Sequence, residues 1–149
     1  VTATTIRPLL PEDRAEWEPL WAGYQSFYQV QIPAATTEST WRRLQDPHMP
    51  VHALGAFRDE RLVGIVHYLF HLSTWTEGPY CYLQDLFTAP DARGLGVGRA
   101  LIEAVAAAAR GAGASRVYWL THESNSQAMA LYDQVATRSG FVQYRRLIE

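Results

Sequence analysis

Seven consecutive residues, Arg93-Gly94-Leu95-Gly96-Val97-Gly98-Arg99, alternate three glycines with other residues and carry an arginine at each end. Glycine lets a backbone turn its N–H groups inward with no Cβ in the way. A helical pattern starts at Gly98, so the loop sits where the first N–H groups of a helix lack internal partners and the helix dipole favours an anion. The segment therefore has the makings of a phosphate cradle, with Arg93 and Arg99 placed to add charge-assisted hydrogen bonds. Two familiar phosphate loops do not fit. A dinucleotide fingerprint needs its third glycine at position 99, which is Arg99, and a P-loop needs a lysine, which the chain lacks altogether. A glycine-rich connection that merely turns the chain is the plain alternative.

Other chemistry-bearing residues are scattered. Asn125 and Tyr132 are seven apart, about two helical turns, and so share one helix face with the small Ala128 between them. Asp85 lies in a strand-like run and Glu123 just after another; each is a candidate base, or else a loop anchor and a solvated strand end. His67 and His71 are four apart but not on a helix, which makes a poor metal pair, and His122 reads as a strand-end polar residue. Cys81 reads as a small packed side chain, not a nucleophile. Trp21, Tyr24, Phe27, Tyr28 and Trp75 are core candidates whose rings and polar tips could also line a pocket for a cation.

Composition bounds the possibilities. The chain has 149 residues, 48% hydrophobic and 19% charged, which suits one globular domain spanning 1–149. A net charge of -2 and a pI near 6.2 speak against a broad nucleic-acid surface. All 13 basic residues are arginines, which excludes Schiff-base chemistry on a lysine. A single cysteine excludes an internal disulfide framework and a multi-thiolate zinc site; no metal is expected. Apolar runs fall short of the roughly 20 residues that span a bilayer, and the polar start Val1–Ile6 followed by Arg7-Pro8 does not resemble a secretory leader, so a cytoplasmic protein without membrane partners is the expectation.

The elements that must position these residues follow from periodicity. Thr5–Leu9 reads as a strand and Pro11 to about Gln29 as a helix, with a kink or late start at Pro19. Thr37–Gln45 reads as a second helix stopped by Asp46-Pro47. Val51–Arg58 and Leu62–Phe70 read as a hairpin, and Tyr80–Thr88 as a third strand. Then come a helix over Gly98–Ala112, a strand over Arg116–Thr121, a helix over Ser126–Ser139 and a last strand over Phe141–Leu147. The expectation is an α/β (α+β) fold: a mixed central sheet of six to seven strands flanked by about four helices, antiparallel in front and crossing through helices behind.

Arg-Gly-x-Gly-x-Gly between a strand ending Leu86-Phe87-Thr88 and a helix resembles the acetyl-CoA loop of the GCN5-related N-acetyltransferase (GNAT) superfamily. Trp17-Glu18-Pro19-Leu20-Trp21, Tyr24-Gln25-Ser26-Phe27-Tyr28, Thr74-Trp75, Leu83-Gln84-Asp85-Leu86-Phe87, Tyr118 through Asn125 and Leu131-Tyr132 resemble its yeast histone-and-other-protein acetyltransferase branch. The diamine acetyltransferases are a looser likeness through Tyr82-Leu83-Gln84-Asp85. The resemblance implies the GNAT acyl-CoA N-acyltransferase fold, acetyl-CoA as cosubstrate, direct transfer to an amine in a ternary complex, and a homodimer.

It also assigns roles. Residues Arg93, Gly94, Leu95, Gly96, Val97, Gly98 and Arg99 would hold the pyrophosphate, and Leu86, Phe87 and Thr88 would pair with the pantetheine arm as an added strand, with a bulge opening the gap. Asn125 and Ala128 would meet the arm, and Tyr132 would protonate the departing thiolate, which suits a phenol that is neutral at pH 7. The acceptor must lose a proton: an ammonium of pKa about 10.4 is only ~0.04% neutral at pH 7, equivalent to roughly 4.6 kcal/mol. Asp85 and Glu123 are the candidate bases. In the diamine enzymes the position of Gln84 is typically a glutamate proposed as base; an amide cannot take that proton, which lowers the polyamine reading. Rival readings are an acetyl-CoA or CoA sensor without turnover and an unrelated nucleotide-binding protein. Protein amines, polyamines and amino acids, D-amino acids included, stay open as acceptors.

Overall fold

In a computed structural model, residues 3–149 are described; Val1 and Thr2 of the polar N-terminal run lie outside them. The chain runs β1 (Thr5–Pro8), a 3-10 turn (Pro11–Asp13), α1 (Arg14–Phe27), α2 (Ala34–Gln45), β2 (Val51–Arg58), β3 (Arg61–His71) and β4 (Tyr80–Thr88). A second 3-10 turn (Pro90–Ala92), α3 (Val97–Gly111), β5 (Val117–Tyr118) and α4 (Ser126–Val135) complete it. The strands form one sheet in the order β1-β2-β3-β4-β5, antiparallel except for the parallel β4–β5 pair. Asp59 and Glu60, both at positive φ (50° and 64°), close the β2–β3 hairpin in the left-handed turn that suits strand twist.

The sheet carries a helix on each face, and the register shows which residues serve which. A Cβ on Gly23 of α1 would lie 2.8 Å from the Phe87 ring, so α1 covers the face of Phe87 and its partner Ile65. A Cβ on Gly64 would lie 2.7 Å from Val97, so α3 covers the other face. These close approaches explain why both positions are glycine. The expected α3 stripe is present: Leu101, Ile102, Val105 and Ala109 are buried, and Ala108 packs at its margin. Helix α1 buries Trp17, Leu20 and Trp21 and runs on through Pro19 from Arg14, with no late start.

The back of the molecule departs from expectation. The sheet has five strands among the described residues. Phe141–Leu147, expected as a strand, is irregular and exposed and pairs with no strand among the described residues; an alternating pattern cannot form a strand alone. Helix α4 ends at Val135, where Ala136 turns extended (φ -152°, ψ 177°), short of the expected Ser139. Strand β5 holds only two of the six residues expected over Arg116–Thr121.

Candidate active site

Strand β4 is where the site begins. Its register with β3 pairs Tyr68 with Leu83 but the adjacent His67 with Asp85, leaving Gln84 as a bulge. An inserted residue reverses which face the following side chains take. Asp85 and Phe87 thus turn to the α1 face, whereas Leu83, opposite Tyr68, belongs to the other. Strand β4 meets β5 only at Cys81–Val117 and Tyr82–Tyr118, so among the described residues its backbone edge from Leu83 to Thr88 has no strand on that side. The sheet splays open there.

A cavity of about 410 Å³ occupies the splay. Leu86, Phe87 and Thr88 form one wall, and Arg93, Gly94, Gly96, Val97, Gly98 and Arg99 the end at the start of α3. Asn125, Ala128 and Tyr132 of α4 form the opposite wall, and Phe27 and Tyr28 close it from α1. Gly94 and Gly96 stand at φ 79° and 81°, the left-handed region where a side chain is strained, and no atom lies within 4 Å of a Cβ built on either. The glycines here serve conformation, not packing. Arg93 donates from Nε to the Thr88 carbonyl (3.2 Å) with its guanidinium over Phe87, and Arg99 reaches Gln134 of α4.

Tyr132 packs edge-on against Trp119 with ring centroids 5.5 Å apart. Burial pushes its phenol above the ordinary range, with a smaller upward push from Tyr28. Burial first, and then the charge of Asp85, push the Tyr28 phenol upward as well. Tyr24 stacks on Trp21 (5.1 Å) and contacts Tyr28 (4.9 Å). Its phenol is pushed far up by burial first and by the charge of the nearby Asp85 carboxylate second.

Not every residue singled out above reaches the cavity. Glu123 is exposed in the turn before α4, Leu95 points out of the loop, and Trp75 is 75% exposed between β3 and β4; none lines the cavity. Asp85, hydrogen-bonded to His67, is not itself a lining residue. Sequence reasoning missed His67, which sits 3.0 Å from Asp85, and the cavity residues Ala92, Gln127 and Leu131. The α4 residues were legible from helical spacing; His67 was not, because its register depends on the bulge.

The profile of the Acetyltransferase (GNAT) family matches residues 14–136. The chain belongs to that family. It is an N-acetyltransferase that uses acetyl-CoA as cosubstrate to acetylate an amine. The Saccharomyces cerevisiae D-amino-acid N-acetyltransferase HPA3 is 36% identical over 143 residues, covering 95% of this chain and 89% of that protein. A Caenorhabditis elegans thialysine N-epsilon-acetyltransferase is 36% identical over 85 residues, 57% of this chain and 52% of that one. Among solved structures, a ribosomal-protein-alanine N-acetyltransferase from Brucella melitensis biovar Abortus 2308 superposes with a TM-score of 0.78 at 26% identity, covering 98% of this chain and 100% of that one. The aminoglycoside enzyme AAC(6')-Iy, solved with a bisubstrate analogue containing CoA, shares the fold at a TM-score of 0.85 and 16% identity, over 98% and 99% of the two chains. The open β4 edge, ending at a glycine loop with a free helix N-terminus, fits an extended ligand that carries a pyrophosphate.

Proposed function

We propose that this N-acetyltransferase acetylates a small primary amine, an amino acid foremost, by direct transfer in a ternary complex. The carrying observation is a single cavity that joins the glycine loop, the Tyr132 phenol and the open edge of β4, where its lining begins one residue along from Asp85. The acceptor class is supported by the D-amino-acid and thialysine N-epsilon-acetyltransferase relatives.

The backbone N–H groups of Gly94 to Arg99 hold the pyrophosphate, and Arg93 and Arg99 swing from their present partners to its oxygens. The free edge of β4 from Leu86 to Thr88 accepts and donates hydrogen bonds along the pantetheine amides. Bound acetyl-CoA supplies an activated acyl group on a thiolate leaving group. Asn125 and Ala128 line its path, and an N–H of β4 steadies the carbonyl oxygen as it gains charge. Asp85 takes the ammonium proton, and Tyr132 gives its own to the departing sulfur. Tyr24 and Tyr28 bound the acceptor side. Glu123 and Trp75 would need to move to take part, and we assign them no step.

We further propose that the protein works as a homodimer. Phe141, Val142, Tyr144, Leu147 and Ile148 are each at least 76% exposed, in an irregular segment with strand patterning, while β5 is paired on one side only. The segment of a second copy, laid along β5, would cover both. Light scattering should show a dimer, and Tyr144→Ser with Leu147→Ser should shift it toward monomer; a wild-type monomer contradicts this.

The activity test is CoA release with a panel of L- and D-amino acids, diamines and peptides. Turnover on a free amino acid, with Tyr132→Phe lowering kcat but still binding acetyl-CoA, is the expected result. Tight acetyl-CoA binding with no turnover on any amine would make the protein a sensor.

A further inference from the structure

Three side chains from three elements form a hydrogen-bonded chain of which the reaction as described uses only the last, Asp85. Trp17 of α1 is fully buried, and its indole Nε1–H points at Nε2 of His67 on β3, 3.0 Å away. The other ring nitrogen, Nδ1, lies 3.0 Å from Oδ2 of Asp85. The His67 side chain is 4% accessible and that of Asp85 is 12%.

Elementary hydrogen-bond chemistry fixes the protons. An indole N–H can only donate, so Nε2 of His67 must accept and carries no hydrogen. The neutral ring has one hydrogen, which is therefore on Nδ1 and is donated to Asp85. An imidazolium would set one N–H against another in a buried site, where an unsatisfied donor costs about 1–3 kcal/mol. Trp17 thus keeps His67 a neutral donor, and ring contacts with Trp17 (6.0 Å) and Trp21 (5.0 Å) hold it in place.

Asp85 is consequently held by neutral groups. His67 faces it from β3, Tyr24 and Tyr28 from the C-terminal end of α1, and Tyr82 from β4. Among the described residues, no arginine lies within ion-pair distance of it. A mostly buried carboxylate whose hydrogen-bond partner is a neutral donor lacks a positive group that an alkylammonium would supply.

We infer that His67, locked in one tautomer by Trp17, is a positioning residue that keeps the Asp85 carboxylate free of its proton and aimed at the acceptor ammonium. This rests on the proposed role of Asp85 as base. In the step itself the ammonium N–H bond breaks, its electron pair stays on nitrogen for attack, and the proton joins Asp85. His67 keeps its own hydrogen throughout, because Trp17 blocks the nitrogen through which a relay would have to pass.

Nitrogen-15 NMR of the histidines in the full chain tests the lock without any variant. His67 should show the single neutral, Nδ1-protonated tautomer in the folded protein, and should lose that single form in Trp17→Phe, which keeps an aromatic ring but removes the donor. His67→Leu should lower kcat/KM for the amine by about tenfold to a hundredfold, the range of a disturbed acid–base group, with acetyl-CoA affinity unchanged. It should also move the acid limb of the pH–rate profile upward. His67→Asn, whose amide can donate from near the Nδ1 position, should recover much of the loss. A wild-type His67 found as the Nε2-protonated tautomer or as an imidazolium, or a pH profile indifferent to His67→Leu, overturns the inference. Full activity in Asp85→Asn would instead overturn the assignment of Asp85 as base.

Discussion

The two walls of the cavity are built differently. The wall made by β3 and β4 is the most buried part of the molecule: Ile65, Val66, Cys81 and Leu83 are each no more than 3% exposed, and α1 and α3 seal the two faces. The wall made by α4 has no fully buried residue, stands behind a two-residue strand and leads into an exposed segment. Asp85 and its supports lie in the packing behind the first wall, Tyr132 and Asn125 on the second. The group that must distinguish one charge state of the acceptor is thus set in rigid packing. The group that meets the departing thiolate rides on a helix with no buried residue, where local opening costs little.

That contrast can be broken most severely at its ends. Leu101→Ala, in the fully buried stripe of α3, should cost about 2–5 kcal/mol, while Leu131→Ala on half-buried α4 should cost well under that, about 1 kcal/mol. Chemical denaturation reads both, and equal losses would erase the distinction between the walls. Gly96→Val should next abolish acetyl-CoA binding by calorimetry while leaving a folded protein, because it forces a β-branched residue into a left-handed position at the cradle but meets no neighbour. Tyr132→Phe should follow with kcat lowered about a hundredfold at unchanged acetyl-CoA affinity, since it removes a proton donor and keeps the ring.

Smaller effects sharpen the picture through pH. Burial raises the phenols of Tyr24 on one wall and Tyr132 on the other. Below pH about 10 these tyrosines are neutral in both folded and unfolded chains and add no pH dependence. Above it the unfolded phenols ionise first, so stability must fall as pH rises from about 10 toward the raised folded values. Thermal melts between pH 9 and 11 check this, and Tyr24→Phe should flatten the decline. Smallest of all, Cys81, whose thiol burial pushes up to about 11, should react with a thiol reagent at pH 8 only as fast as the β4 wall opens.

What could be read in the sequence divides along the same line. Elements whose apolar pattern is satisfied by neighbours in the same chain were legible: β4 begins and ends as expected at Tyr80 and Thr88, and α3 shows its stripe. Phe141–Leu147 has the same kind of pattern but no strand beside it, and alternation alone does not reveal whether a partner exists. Alpha-helical spacing placed Asn125, Ala128 and Tyr132 on one wall because three- and four-residue spacing is a local property. His67 escaped because its meaning depends on two non-local facts: a bulge at Gln84 that turns Asp85 to its face, and a tryptophan 50 residues away. Gln84 itself, notable in the sequence as an amide where a glutamate base would stand, is the exposed extra residue of that bulge.

A crystal structure of the protein with CoA and an amino acid tests the two-walled site most directly. The account predicts the pyrophosphate on the N–H groups of Gly94 to Arg99, the sulfur within hydrogen-bonding reach of the Tyr132 hydroxyl, and the acceptor nitrogen beside Asp85. Loop amides turned away from the pyrophosphate, or an acceptor nitrogen bound far from Asp85, would contradict it.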